Sequence, residues 1–140
     1  MTGAELVILA KEGMGRAYAP YSHCTVGAAL LTAQGNVYLG CNIENAAYGP
    51  TNCAERTAFF KAISEGEREF SAIAIVGGKD GVIEGVFAPC GVCRQVMREF
   101  CDPETFLVLL GHRDAAGALV YDEYTLSELL PLGFGPENVL

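Results

Sequence analysis

The chain has 140 residues, the size of one domain, and 51% of them are hydrophobic, so a packed core is expected rather than a disordered polymer. The formal net charge of -8 and the lack of any basic run argue against a nucleic-acid partner, because phosphate binding relies on Lys and Arg to displace counterions. No stretch approaches the roughly 20 apolar residues of a membrane span, and "LVILA", flanked by Glu5 and Lys11, suits an amphipathic helix and is too short for a secretory signal, so a cytoplasmic protein is expected.

From Glu5 to Tyr18 the apolar residues Leu6, Leu9, Ala10, Met14 and Ala17 recur near a helical period, and Pro20 is the expected stop. "TVGAALLT" and "NVYLGCNIE" read as strands joined by the tight turn "AQGN", an antiparallel hairpin. Asn52 is the expected N-cap of a helix through "CAERTAFFKAISEG", closed by Gly66. "SAIAIVGG" is a continuous apolar run, as in a strand covered on both faces. Pro89 precedes a second helix, "CGVCRQVMREF"; "FLVLL" and "ALVYDEYT" follow as strands and "LSELL" as a short helix. This order predicts a single α/β domain over residues 1–140, with helices packed on a mixed sheet of about five strands.

The six cysteines are read as those of a reducing compartment, where spaced cysteines serve metals or redox chemistry more often than disulfides. Cys24, Cys41 and Cys101 are expected to be small buried thiols. Cys90 and Cys93 lie three apart at a helix start, on one face, where free N–H groups favour thiolate. Cys53 opens the other helix, and two helix starts that converge would bring three thiolates to one point, a donor set that suits zinc. Three protein ligands leave a coordination position open for water, as catalytic zinc sites do, whereas structural sites are closed by four. Taken alone, C-x-x-C also fits a redox pair, and Asn52-x-x-Glu55 fits a capping box in which the glutamate only bonds back to the backbone. Together, Cys-x-Glu and Pro-Cys-x-x-Cys match the signature of zinc deaminases, here with cysteine as the first ligand.

With these motifs the chain resembles the small, homotetrameric cytidine deaminases. The resemblance runs through "AYAPYS", "VGAALL", "GCNIENAAYG", "CAERTA", "PCGVCRQV" and "ELLPLGFGPE". It implies an αβα layered fold and hydrolytic deamination of cytidine and deoxycytidine in pyrimidine salvage. It also implies one zinc ion per subunit on Cys53, Cys90 and Cys93, and Glu55 as the proton shuttle. By the same resemblance Asn42 and Glu44 bind the ribose and the backbone at Ala54 helps hold the base. Tyr48 and Phe134 help close a pocket shared between subunits. In an extended segment Asn42 and Glu44 point to one side and Ile43 to the other, so Ile43 is expected in the core while its neighbours face sugar hydroxyls. A phosphate beside Glu44 would meet like charge, which favours free nucleosides over RNA or DNA. Arg56 is expected to offset the summed charge of three thiolates by bonding to a ligand sulfur.

One position departs from the family. Cys24 stands where relatives usually have a Phe that packs on the pyrimidine. Base–aromatic stacking is worth about 1–3 kcal/mol, so weaker base binding, compensation by Phe134 from a neighbour, or a shift to a related aminated nucleoside is expected. A zinc-binding protein without catalysis is the competing class; the intact Glu55 speaks against it.

Overall fold

The computed structural model describes all residues, 1–140. Helix α1 spans Gly3–Met14. Thr2 caps it in a reciprocal capping box with Glu5, so two backbone donors at the helix start are satisfied by side chains. The helix stops before Pro20, the expected terminus, because the chain beyond Gly15 is drawn into other pairing. The Tyr18 N–H donates to Asn42 O at 3.0 Å and Tyr18 O accepts from the Glu44 N–H at 2.8 Å.

Strands β1 (Cys24–Thr32) and β2 (Val37–Cys41) form the expected antiparallel hairpin, turning where Gly35 takes a φ of 93°. Helix α2 covers Ala54–Ser64, followed by β3 (Phe70–Lys79), α3 (Gly91–Phe100), β4 (Leu107–Arg113), β5 (Leu119–Thr125) and the single turn α4 (Leu126–Leu129). The five strands make one sheet in the order β2-β1-β3-β4-β5, in which only β3 and β4 run parallel. The sheet is mixed and five-stranded, as the pattern predicts.

Alternation along the strands sends side chains to two cores. On one face Leu6, Val7, Ala10 and Met14 of α1 pack on Ala29, Ala74 and Val76. On the other, Ala58 and Phe59 of α2 and Met97 of α3 pack on Leu30, Ile73 and Val108. The result is an αβα sandwich. Phe59 is fully buried, with the rings of Phe70, Phe106 and Phe100 at centroid distances of 5.1, 6.1 and 6.4 Å. Cys101 is buried as expected. Cys24 and Cys41 are only half-buried, a correction that follows from their places at the ends of β1 and β2.

Glycine at position 40 sets how closely α2 lies on the sheet. A Cβ there would run into the Ala54 carbonyl and the Ala58 N–H of α2. With no side chain to hold it off, the first turn of the helix rests on the β2 backbone. Gly40→Ala is therefore expected to lower the midpoint of urea unfolding, by about 1–3 kcal/mol in stability. An unchanged midpoint would show that α2 can slide without loss.

Candidate active site

Helices α2 and α3 each begin at a cysteine. Cys53 and Cys90 are themselves the N-cap residues, extended at φ -79°, ψ 158° and φ -66°, ψ 168°, and neither sulfur caps its own helix. The expected cap, Asn52, is not used as one. Its backbone pairs in both directions with Ile43, at 2.9 and 3.0 Å, and its side-chain amide reaches the Thr57 hydroxyl at 3.3 Å. The Asn52–Glu55 capping box is therefore absent, and the Glu55 carboxyl is left for other work.

The sulfurs of Cys53, Cys90 and Cys93 all lie within 4.8 Å of one another. Cys53 and Cys90 are 3.8 Å apart, and Cys90 and Cys93 are 3.5 Å apart. A tetrahedral ion with Zn–S bonds of about 2.3 Å sets S···S separations of about 3.8 Å, so the three thiols fit zinc as they stand. The Arg56 guanidinium donates to Cys53 Sγ at 3.3 Å, as the charge argument anticipates. The neighbouring Cys93 thiol, with help from Arg56, draws the Cys53 thiol well below its usual range. The nearby Cys53 sulfur, with burial, pushes Cys93 up. The sulfur of Cys53 likewise holds the Arg56 guanidinium above its ordinary value.

Glu55, one residue into α2, is buried at 4% exposure. Desolvation raises its pKa to about 7; its own backbone N–H opposes the rise, and the negative Cys53 sulfur reinforces it. A dication among the sulfurs would draw the carboxyl back down, so burial and metal pull in opposite directions on this group. Glu55 faces a cleft of about 210 Å³, whose walls include Cys53, Cys90, Ala54, Asn42 and Phe87. Phe87 is absent from the sequence-based expectations. Nothing in its local sequence marks it, because the β3–α3 loop that delivers it has no periodicity.

A second, outer cavity of about 390 Å³ holds Glu44, Tyr48, Tyr21 and Ser22, and Thr51 lines both spaces. Glu44 accepts hydrogen bonds from the backbone N–H groups of Tyr21 and Ser22 at 3.0 and 3.1 Å and from the Ser22 hydroxyl. The Ser22 hydroxyl bond above all holds the carboxylate below its ordinary pKa. Asn42 bridges to β1: its Oδ1 accepts from the Val26 N–H and its Nδ2 donates to Cys24 O, both at 2.8 Å. One amide hydrogen remains free to face the cleft. Ile43 corrects the expectation. It is 46% exposed, because the segment after β2 leaves the sheet to pair with Tyr18 and Asn52 instead of continuing across the core. Tyr48 takes a left-handed φ of 61° at the rim of the outer cavity and is exposed. Phe134 is also exposed and lines neither space of its own chain; Gln95 of α3 donates to its carbonyl at 2.9 Å.

Comparison with known proteins agrees with this geometry. The model of the cytidine and deoxycytidylate deaminase zinc-binding region matches residues 2–109. A cytidine deaminase of Halalkalibacterium halodurans is 51% identical over 132 residues, covering 94% of this chain and 91% of that protein. One of Sporosarcina psychrophila is 45% identical over 135 residues, covering 96% and 93%. The crystal structure of cytidine deaminase from Burkholderia pseudomallei superposes with a TM-score of 0.84 at 48% identity, covering 96% of this chain and all of that one. With the three-cysteine cluster and the matched zinc-binding region, the chain belongs to the cytidine and deoxycytidylate deaminase family of zinc proteins.

Proposed function

We propose that the protein is a zinc-dependent deaminase that converts cytidine and deoxycytidine, with water, to uridine and deoxyuridine plus ammonia. The observation that carries this reading is the buried Glu55 carboxyl in the same small cleft as the converging sulfurs of Cys53 and Cys90.

A zinc ion on Cys53, Cys90 and Cys93 would supply the Lewis acid that lowers the pKa of water towards ~7. Glu55 takes the proton of the attacking water and delivers it to N3 of the cytosine ring as C4 is attacked. It then moves the proton of the new C4 hydroxyl to the amine, so that ammonia leaves as the C4=O of uridine forms. One carboxyl can serve both steps because they follow each other. Ala54, fully buried in the first turn of α2, offers backbone polar groups to the base. Asn42 and Glu44 receive the ribose, Glu44 as an acceptor already oriented by Ser22 and Tyr21. Arg56 spreads the negative charge of the Cys53 sulfur, which keeps three thiolates compatible with a reactive dication.

The mouth of the outer cavity is rimmed by the exposed rings of Tyr21 and Tyr48, and Tyr18 and Ile43 are exposed beside them in sequence. Phe134 stands outside its own cleft. These positions support a homotetramer in which Phe134 of one subunit and Tyr48 of another close a shared pocket; the reaction itself suits pyrimidine salvage in the cytoplasm. No helix is long and apolar enough to cross a membrane, and the nucleoside is taken free, without nucleic acid.

Cytidine incubated with the zinc-loaded protein should lose its ultraviolet band as uridine forms; zinc-loaded protein that leaves cytidine untouched would sink this reading. Glu55→Gln should keep about one zinc per chain and lower kcat by at least 10²-fold, and near-normal turnover would remove Glu55 from the reaction. Arg56→Ala should weaken zinc retention about 10- to 100-fold in a chelator competition; equal retention would leave the arginine a surface role only.

A further inference from the structure

Within the inner cleft the aromatic side chains are unevenly placed. Of the residues that line it, only Phe87 is aromatic, and Cys24 is not among them. Phe87 sits on the sheet itself. Gly77 of β3 faces Val26 of β1 across the ladder, and a Cβ at position 77 would meet Cγ and Cδ2 of the Phe87 ring at 2.8 and 2.9 Å. The ring thus occupies a recess that only glycine leaves open.

The loop that carries the ring is tied at both ends. Upstream, the Arg113 N–H donates to Glu84 O at 2.8 Å. Downstream, Arg94 Nε donates to Pro89 O at 2.7 Å, one residue before Cys90. An aromatic surface held in this way needs little ordering when a flat ligand arrives.

Cys24 lies on the same face of β1 as Val26, two residues along, and is therefore a diagonal neighbour of Gly77. Diagonal positions in a sheet are within reach of an aromatic side chain. A phenyl group at 24 and the ring of Phe87 would compete for the space above Gly77, so a small residue at 24 and an aromatic one at 87 are compatible where two rings are not.

We infer that Phe87 provides the aromatic face on which the pyrimidine ring rests, and so sets base affinity in this protein. The inference builds on the deaminase reading and adds the residue that holds the base. Phe87 is a positioning residue here, in contact with the base and apart from the proton transfers.

The test uses zinc-loaded wild type, Phe87→Leu, and the double variant Cys24→Phe/Phe87→Leu, with zinc content measured for each. Phe87→Leu should raise KM for cytidine and Kd for uridine by about 5- to 150-fold, with kcat moved less and zinc kept near one per chain. Adding Cys24→Phe should recover much of the loss from the neighbouring position. Values for Phe87→Leu within twofold of wild type, in an enzyme that deaminates cytidine, would overturn the stacking role while leaving the deaminase reading intact. Weaker binding that tracks a parallel loss of zinc would overturn it too, since Phe87 would then only support the fold. A wild-type protein with zinc but no cytidine turnover would remove the deaminase reading and this inference with it.

Discussion

Three sulfurs from two helix starts have to meet at one point, and the rest of the molecule is arranged around that meeting. Thiolates repel each other, so their convergence needs compensation from nearby positive groups. The α2 and α3 N-termini provide part of it through unpaired N–H groups. Arg56 provides more by bonding to Cys53. The sheet supplies the geometry: α2 can seat its first turn close to β2 only because residue 40 has no side chain. Position 40 and the metal site are thus parts of one mechanical problem.

The same packing decides what Glu55 can do. A glutamate three residues after an asparagine at a helix start ordinarily bonds back to the cap. Here the backbone of Asn52 is engaged by Ile43, and its side chain by Thr57. Glu55 is left without a capping role in a buried place, where the balance between desolvation and neighbouring charge governs its proton affinity. The Ile43–Asn52 pairing also fastens the segment of Asn42 and Glu44 directly to the residue before Cys53. Asn42, Glu44 and the cysteine cluster are therefore held by one short ladder of backbone hydrogen bonds, and displacement of either end would be felt by the other.

Two spaces that share Thr51 lie side by side. The inner one is narrow, holds the Glu55 carboxyl, and has one aromatic wall. The outer one is wider, polar at Glu44 and Ser22, and open at the Tyr48 rim. A nucleoside has the matching division, with a flat base carrying the amine at one end and a hydroxylated sugar at the other.

Local patterning was enough for the elements. Alternation, apolar runs and glycine turns placed all five strands and the three longer helices, and the spacing of Cys53, Glu55, Cys90 and Cys93 carried the chemistry of the site. These features are legible because they depend on a chain's own periodicity and on ligand types that zinc selects. The misplacements have a common cause in pairing between distant segments. Tyr18 and Ile43 meet outside the sheet, which ends α1 early and leaves Ile43 exposed. Asn52 gives up its cap to that same ladder. Phe87 reaches the cleft from an irregular loop because Gly77, ten residues earlier on another element, leaves a recess for its ring. The sequence by itself determined the layers and the cysteine cluster that can hold a metal. Only the tertiary structure decided which groups line the inner cleft and where Glu55 is left free, because both depend on contacts between residues that no local repeat connects.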